Sequence, residues 1–169
     1  MSTFKMTSME LARYNKWQNE VLLVLCDGLS DEELKQDRGA FFGGLLGTLN
    51  HILHVDRVLL EYIERGYPPD NFDPNATPFG DYPSLKEARL DLDTKIIEMM
   101  DTSPELWFDE VFSFFSDDLG RVRERPRALF ISQMFNHQTH HRSQVTSMLH
   151  QLGIDYGSTD LPGNPLSQS

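Results

Sequence analysis

Four long stretches of the chain repeat their apolar residues at three- and four-residue steps, and this period constrains the fold more than any other feature. Side chains spaced in this way share one face of an α-helix but alternate between the faces of a strand. In the first stretch Leu11, Tyr14, Trp17, Val21, Leu22 and Leu25 lie on one stripe. Thr7 and Glu10 have the spacing of a capping box at its start, and Gly28 follows its end. The second runs from about Phe41 to Arg65, with Phe41, Leu45, Thr48, Ile52, Val55, Leu59 and Tyr62 on one side, and is closed by Gly66, Pro68 and Pro69. In the third, Leu85, Ala88, Leu92, Ile96 and Met99 form the face, and Ser84 with Glu87 offers a second capping box. The fourth opens at Pro126, a residue suited to a first helical turn, and continues to Leu152 before Gly153.

Little else in the chain has a strand-like period. "GYPPDNFDPNATPFGDYP" reads as a long irregular connection after the second helix, and irregular chain of that length often serves a function. "EVFSFFSDDLGRVRE" reads as a hairpin or irregular excursion with its turn near Asp118–Gly120. The expected fold is all-α: a four-helix bundle forming a single domain over residues 1–169. The long connection means that consecutive helices need not be neighbours, so the packing order is not set by the pattern.

Charge narrows the function. A net charge of −11 argues against nucleic acid, whose binding rests on Lys and Arg neutralising phosphates, and against an anionic membrane surface. Cys26, the only cysteine, excludes an internal disulfide; in "VLLVLCDG" it reads as a core filler rather than a nucleophile. "MSTFKMTSMELARY" lacks the basic start and apolar run of a signal peptide, and no run approaches the ~18 apolar residues of a spanning helix. A reducing cytoplasm is the expected compartment.

The histidines are the unusual feature. "FNHQTHHRSQV" places His137, His140 and His141 within one short stretch of the fourth helix. At 100° per residue, His141 falls near the middle of the stripe made by Phe130, Met134, Val145, Met148 and Leu152. His137 lies on the same side nearer the flank, and His140 on the rim. His137 and His141, one turn apart, can converge on one point. In the second helix His51 flanks the apolar stripe, while His54 lies farther round. Two readings of the pattern stand side by side: core histidines held by hydrogen bonds, or ligands of a metal bound between facing helices. His54, His140 and His150 read as surface residues or as supports to the ligands.

Three segments together carry a family resemblance. "ARYNKWQNEVLL", "RGAFFGGLLGTLNHILHVDRVLL" and "FNHQTHHRSQVTSMLHQLGID" followed by "TDLP" resemble the DinB (DNA-damage-inducible, YfiT-like) family in order and spacing. The resemblance implies a four-helix, metal-binding bundle, usually a homodimer. It implies a metal held by one histidine of the second helix and an H-x-x-x-H pair of the fourth, which fall here on His51, His137 and His141. This chain departs from the family's pattern at Ser143, where glycine is frequent, and at Leu59, where Trp is common. Neither position is a ligand.

A centre of three neutral imidazoles suits zinc or nickel. Gln138, Thr139 and His140 separate the histidine pair, so the adjacent Glu of a zincin-type protease is missing. The resemblance implies a metal-dependent enzyme acting on a small molecule, either a hydrolase or a transferase using a low-molecular-weight thiol. The alternative is a non-catalytic metal-binding module with a structural or stress-response role. Tyr14, Asn15 and Trp17 are candidates for the pocket wall, with core packing the better reading for Tyr14 and Trp17. Asp56 and Arg57, close after His51, read as supports to the ligands or as a surface ion pair.

Overall fold

Ser2, rather than Thr7, caps the first helix. In a computed structural model of the chain, which describes residues 2–66, 73, 75–116 and 119–167, α1 spans Thr3–Cys26 and the Ser2 side chain accepts from the Lys5 amide at 3.3 Å. The expected Thr7–Glu10 box does not form: Thr7 donates to the Thr3 carbonyl, and Glu10 pairs with Arg13 at 2.7 Å. A capping box forms instead at Ser30 and Glu33, which open the short α2, Asp31–Lys35. Helix α3 runs Leu45–Arg65 and ends at Gly66, whose left-handed φ of 83° suits glycine. It starts later than expected because Gly43, also left-handed, and Gly44 break the chain; Phe41 is left outside the helix and 82 % exposed.

Helix α4, Tyr82–Thr102, is capped by Asp81, which accepts from the Ser84 amide at 2.9 Å. That bond replaces the expected Ser84–Glu87 box. Helix α5, Arg127–Gln151, follows Pro126 as expected, except that the proline is the cap itself. Between α4 and α5 lies the hairpin. Strands β1, Val111–Ser116, and β2, Arg121–Pro126, pair antiparallel from Val111↔Pro126 to Ser116↔Arg121. Asp118, at the expected turn, lies outside the described residues. Arg127 pins the hairpin's base to the bundle: its guanidinium sits 4.1 Å from the Trp107 ring and 4.6 Å from that of Phe112, and donates to the Ile63 carbonyl.

The four long helices pack in the ring order α1, α4, α3, α5, so α1 meets α4 and α5, and α3 meets α5 and α4. The apolar faces of α3, α4 and α5 point inward largely as their periods require. Leu45, Ile52, Ile96, Met134 and Val145 are fully buried. In α1 the buried stripe is rotated from the expected one: Ala12, Asn15, Asn19, Leu22 and Cys26 face the core, while Tyr14, Trp17 and Val21 are half-buried. The rotation has a physical cause in a buried polar network joining all four long helices.

Asp56 of α3 and Asp93 of α4 both accept from Arg89, at 2.5 and 2.8 Å. Asp93 also accepts from Asn15 at 3.2 Å and from Asn19 at 3.0 Å. Arg142 of α5 donates to Asn15 and, at 3.1 Å, to Gln138. Buried charge survives only where it is paired and hydrogen-bonded. The network draws the polar residues of α1 inward. Asp56 is thus neither a surface ion-pair partner nor a support for the histidines, and Arg57 is exposed. Cys26 is wholly buried and its thiol is pushed up to about 12 by burial, as a core filler would be. Among the described residues no helix is long and apolar enough to cross a membrane.

Candidate metal centre

His51 reaches the bundle interior from α3, and His137 and His141 from consecutive turns of α5. Three of their ring nitrogens, one from each residue, lie within 4.8 Å of one another. His51 Nε2 and His137 Nε2 are 3.1 Å apart, and the three ring centroids are separated by 4.4 to 5.0 Å. Among the described residues no carboxylate or thiol completes the group.

Electrostatics favours the neutral form of His137 and of His141. Burial pushes His137 down to about 4, helped by the neighbouring His141, His51 and His140. Burial likewise lowers His141, against the opposing pull of a hydrogen bond to Gln144. His141 Nδ1 lies 3.0 Å from Gln144 Oε1, an acceptor, which places the ring proton on Nδ1 and leaves the Nε2 lone pair for a ligand's role. His137 Nδ1 is buried without a hydrogen-bond partner. A ligating histidine usually donates its other ring N–H to an acceptor, which His141 does and His137, among the described residues, does not. Three imidazole donors converging from two helices fit the donor set of a divalent zinc-like ion.

The surroundings include residues that sequence reading missed. Phe42 stacks on His51, with centroids 3.8 Å apart and planes 19° apart, and meets His141 edge-on at 5.6 Å. It is held there by glycine: a Cβ on Gly47 would lie 2.1 Å from the Phe42 carbonyl oxygen. Asn50, beside His51, fastens the long connection by a two-way bond with the Phe79 backbone, at 3.0 and 2.9 Å. Gln144 had a readable signal, since it stands three residues after His141 on the same helical face. Phe42 had none, because a loop side chain carries no period.

The other histidines stay outside the group. His140 is exposed, its ring 4.7 Å from that of His141. His54 Nε2 lies 2.8 Å from the Asp73 carbonyl, and His150 is exposed. Tyr14 and Trp17 pack edge to face, 5.9 Å apart, and Asn15 lies in the charge network.

The sequence profile of the DinB family matches residues 1–168. The chain belongs to the DinB family. Among solved structures, this DinB chain is similar to YfiT from Bacillus subtilis, described as a probable metal-dependent hydrolase with an unusual four-helix bundle topology. The TM-score is 0.72 and the identity 11%, over 92% of this chain and 91% of that one. It is also similar to a DinB-like protein from Bacillus cereus, with a TM-score of 0.60 and 22% identity over 84% and 90% of the two chains. At these identities the likeness shows the fold. No curated protein matches the sequence significantly. The two departures from the DinB pattern leave the histidines alone: Ser143 is exposed and donates to the His140 carbonyl, and Leu59 packs against the core.

Proposed function

We propose that this DinB protein is a metal-dependent enzyme acting on a small molecule, as a hydrolase or as a transferase using a low-molecular-weight thiol. His51, His137 and His141 are the proposed ligands of one divalent ion, zinc or nickel. The observation that carries the reading is the convergence of three imidazoles from two helices. The likeness to YfiT, described as a probable metal-dependent hydrolase, supports the same class.

A divalent ion held by His51, His137 and His141 would supply Lewis acidity, the chemistry that activates a water or thiol nucleophile near neutrality. The chain's own residues do the rest. Gln144 fixes the tautomer of His141, and Phe42 covers one face of His51 and excludes water from it. Among the described residues no carboxylate joins the group, and Gln138 stands where the Glu of a zincin-type protease would follow the first histidine. That favours a substrate or cosubstrate that ionises readily itself, as a thiol does.

Metal content by plasma mass spectrometry, on tag-free protein never exposed to nickel resin, tests the centre. The expected result is about one ion per chain, lost in His51→Ala, His137→Ala and His141→Ala but kept in His140→Ala. No ion in the wild type, and no uptake of added zinc, cobalt or nickel, would sink the reading. Turnover of thiol conjugates or simple esters by the loaded protein then separates an enzyme from a structural or stress-response module, which would show none and would lose much of its thermal stability on chelation. A homodimer in the cytoplasm completes the proposal; sedimentation showing only single chains at micromolar concentration would remove the dimer from it.

A further inference from the structure

Arg142 follows the ligand His141 in sequence but serves another part of the molecule. It is only 6 % exposed, and among the described residues no carboxylate oxygen lies within 4.0 Å of its guanidinium. Asp56 and Asp93, the nearest acids of the network, are both bound by Arg89. Arg142 instead donates to neutral groups: from Nη1 to the amide oxygens of Asn15 and Gln138, and from Nη2 to Thr139 Oγ1 at 3.4 Å. Its Nε and second Nη2 hydrogen make no bond among the described residues.

This side chain lines a cavity of about 360 Å³ between α1, α5 and the segment 156–159. Its size lies at the lower end for small-molecule pockets, with room for about a dozen waters at ~30 Å³ each. Tyr14, Leu22 and Tyr156 supply flat and apolar wall. The hydroxyls of Thr139 and Thr146 already donate to the carbonyls of Phe135 and Ser143, and that of Tyr14 to Thr159. Among the described residues, the donors left along the cavity are therefore the Nε and one Nη2 hydrogen of Arg142, the Tyr156 phenol, the Thr159 hydroxyl and the second amide hydrogen of Gln18, whose first goes to the Ser158 carbonyl at 3.2 Å. A cavity whose spare groups are a buried cation and neutral donors is complementary to an oxyanion.

We propose that this cavity is a second binding site, separate from the histidine cluster, for a small carboxylate or phosphate held by the guanidinium of Arg142. Its volume of about 360 Å³ accommodates a ligand of benzoate's size, and its aromatic walls suit a compact ring beside the charged group. None of its lining residues belongs to the histidine cluster, so the site stands whether or not the cluster binds metal.

Isothermal titration of the full chain with benzoate, and separately with inorganic phosphate, decides the matter. Saturable binding of at least one anion is expected with Kd at or below about 1 mM, equivalent to roughly −4 kcal/mol. Binding of benzoate alone would identify a carboxylate ligand, and of phosphate alone a phosphate ligand; both support the site. Affinity is expected to fall at least tenfold in Arg142→Gln and in Thr146→Trp, which fills the cavity, and to be unchanged in His137→Ala. Should Arg142→Gln fail to fold, Thr146→Trp still decides, because the Thr146 side chain bonds only to its own helix. Absence of saturable binding, or binding that survives Thr146→Trp, overturns the proposal. So does binding lost in His137→Ala, which would place the anion at the histidines.

Discussion

The histidine cluster shares both of its helices, α3 and α5, with part of the buried charge network, and the two follow opposite rules. His51 and Asp56 lie on α3; His137, Gln138, His141 and Arg142 interleave on α5. In the network, unlike groups meet: Arg89 between Asp56 and Asp93, amides around the rest. In the cluster, like groups meet: three imidazoles with nitrogens brought together and one buried nitrogen orphaned. The network pairs its opposite charges and can tie four helices together as the chain folds, although Asp56 Oδ1, Arg89 Nε and Gln138 Nε2 are left without hydrogen-bond partners among the described residues. The cluster is incomplete by its own chemistry and has the character of a site for something else to enter. Polar residues inside one bundle can thus serve architecture or binding, and partner complementarity tells the two apart.

The largest expected effect breaks the network. Arg89→Met leaves Asp56 and Asp93 buried without their cation, and removing one member of a buried ion pair costs about 3–5 kcal/mol. Urea unfolding of the metal-free variant should show that loss. In protein that still folds, metal stoichiometry should be unchanged, since Arg89 touches none of the histidines. A variant of near wild-type stability would mean that the network is decoration.

A smaller effect sharpens the other side. Gln144→Ala removes the acceptor that orients His141, and loss of such an outer partner lowers metal affinity about 10–100-fold. Stability without metal should move by no more than about 0.5 kcal/mol, because Gln144 is only half-buried. Competition with a chelator of known affinity reads the first quantity and urea unfolding the second. A large stability loss with unchanged affinity would assign Gln144 to architecture.

The same contrast explains what the sequence made legible. Apolar period exposed the helices of the bundle and the inward side of α5, because burial of one helix face leaves a repeat. It also brought out His137 and His141, which sit on that repeat, and His51 on its flank. It misjudged α1, whose core face carries Asn15 and Asn19 where the period expects apolar residues. It could not see Arg89 and Asp93 as interior residues, since a charge on a helix ordinarily marks the solvent face. Their burial depends on partners contributed by other helices, and pairing across helices leaves no mark in a local pattern. The ring order of the helices was illegible for the same reason, and so was Phe42, whose place over His51 depends on a glycine five residues later in the chain.

The last expected effect is a change in how stability depends on pH, and here the two regions should pull in opposite directions. In metal-free protein His137 titrates at about 4 when folded, against an ordinary 6.5, because burial disfavours its charged form. Between these values the unfolded chain binds more protons, so the contribution of His137 is present above about pH 6.5 and is lost as pH falls toward 4. Asp56 behaves in the reverse sense. Burial outweighs Arg89 and raises it from 3.8 to about 7, so the folded state holds the extra proton. Its contribution is present below about pH 4 and is lost as pH rises through 7. Over the shared window the slopes oppose each other, and a flat wild-type profile would conceal both. His137→Gln should therefore make stability fall more steeply with rising pH between 4 and 6.5, while Asp56→Asn should make it rise. Urea midpoints of the two chelated variants, measured across that window, check the pair. Slopes that move in the same direction would mean that one of the two groups does not sit in the electrostatic setting described for it.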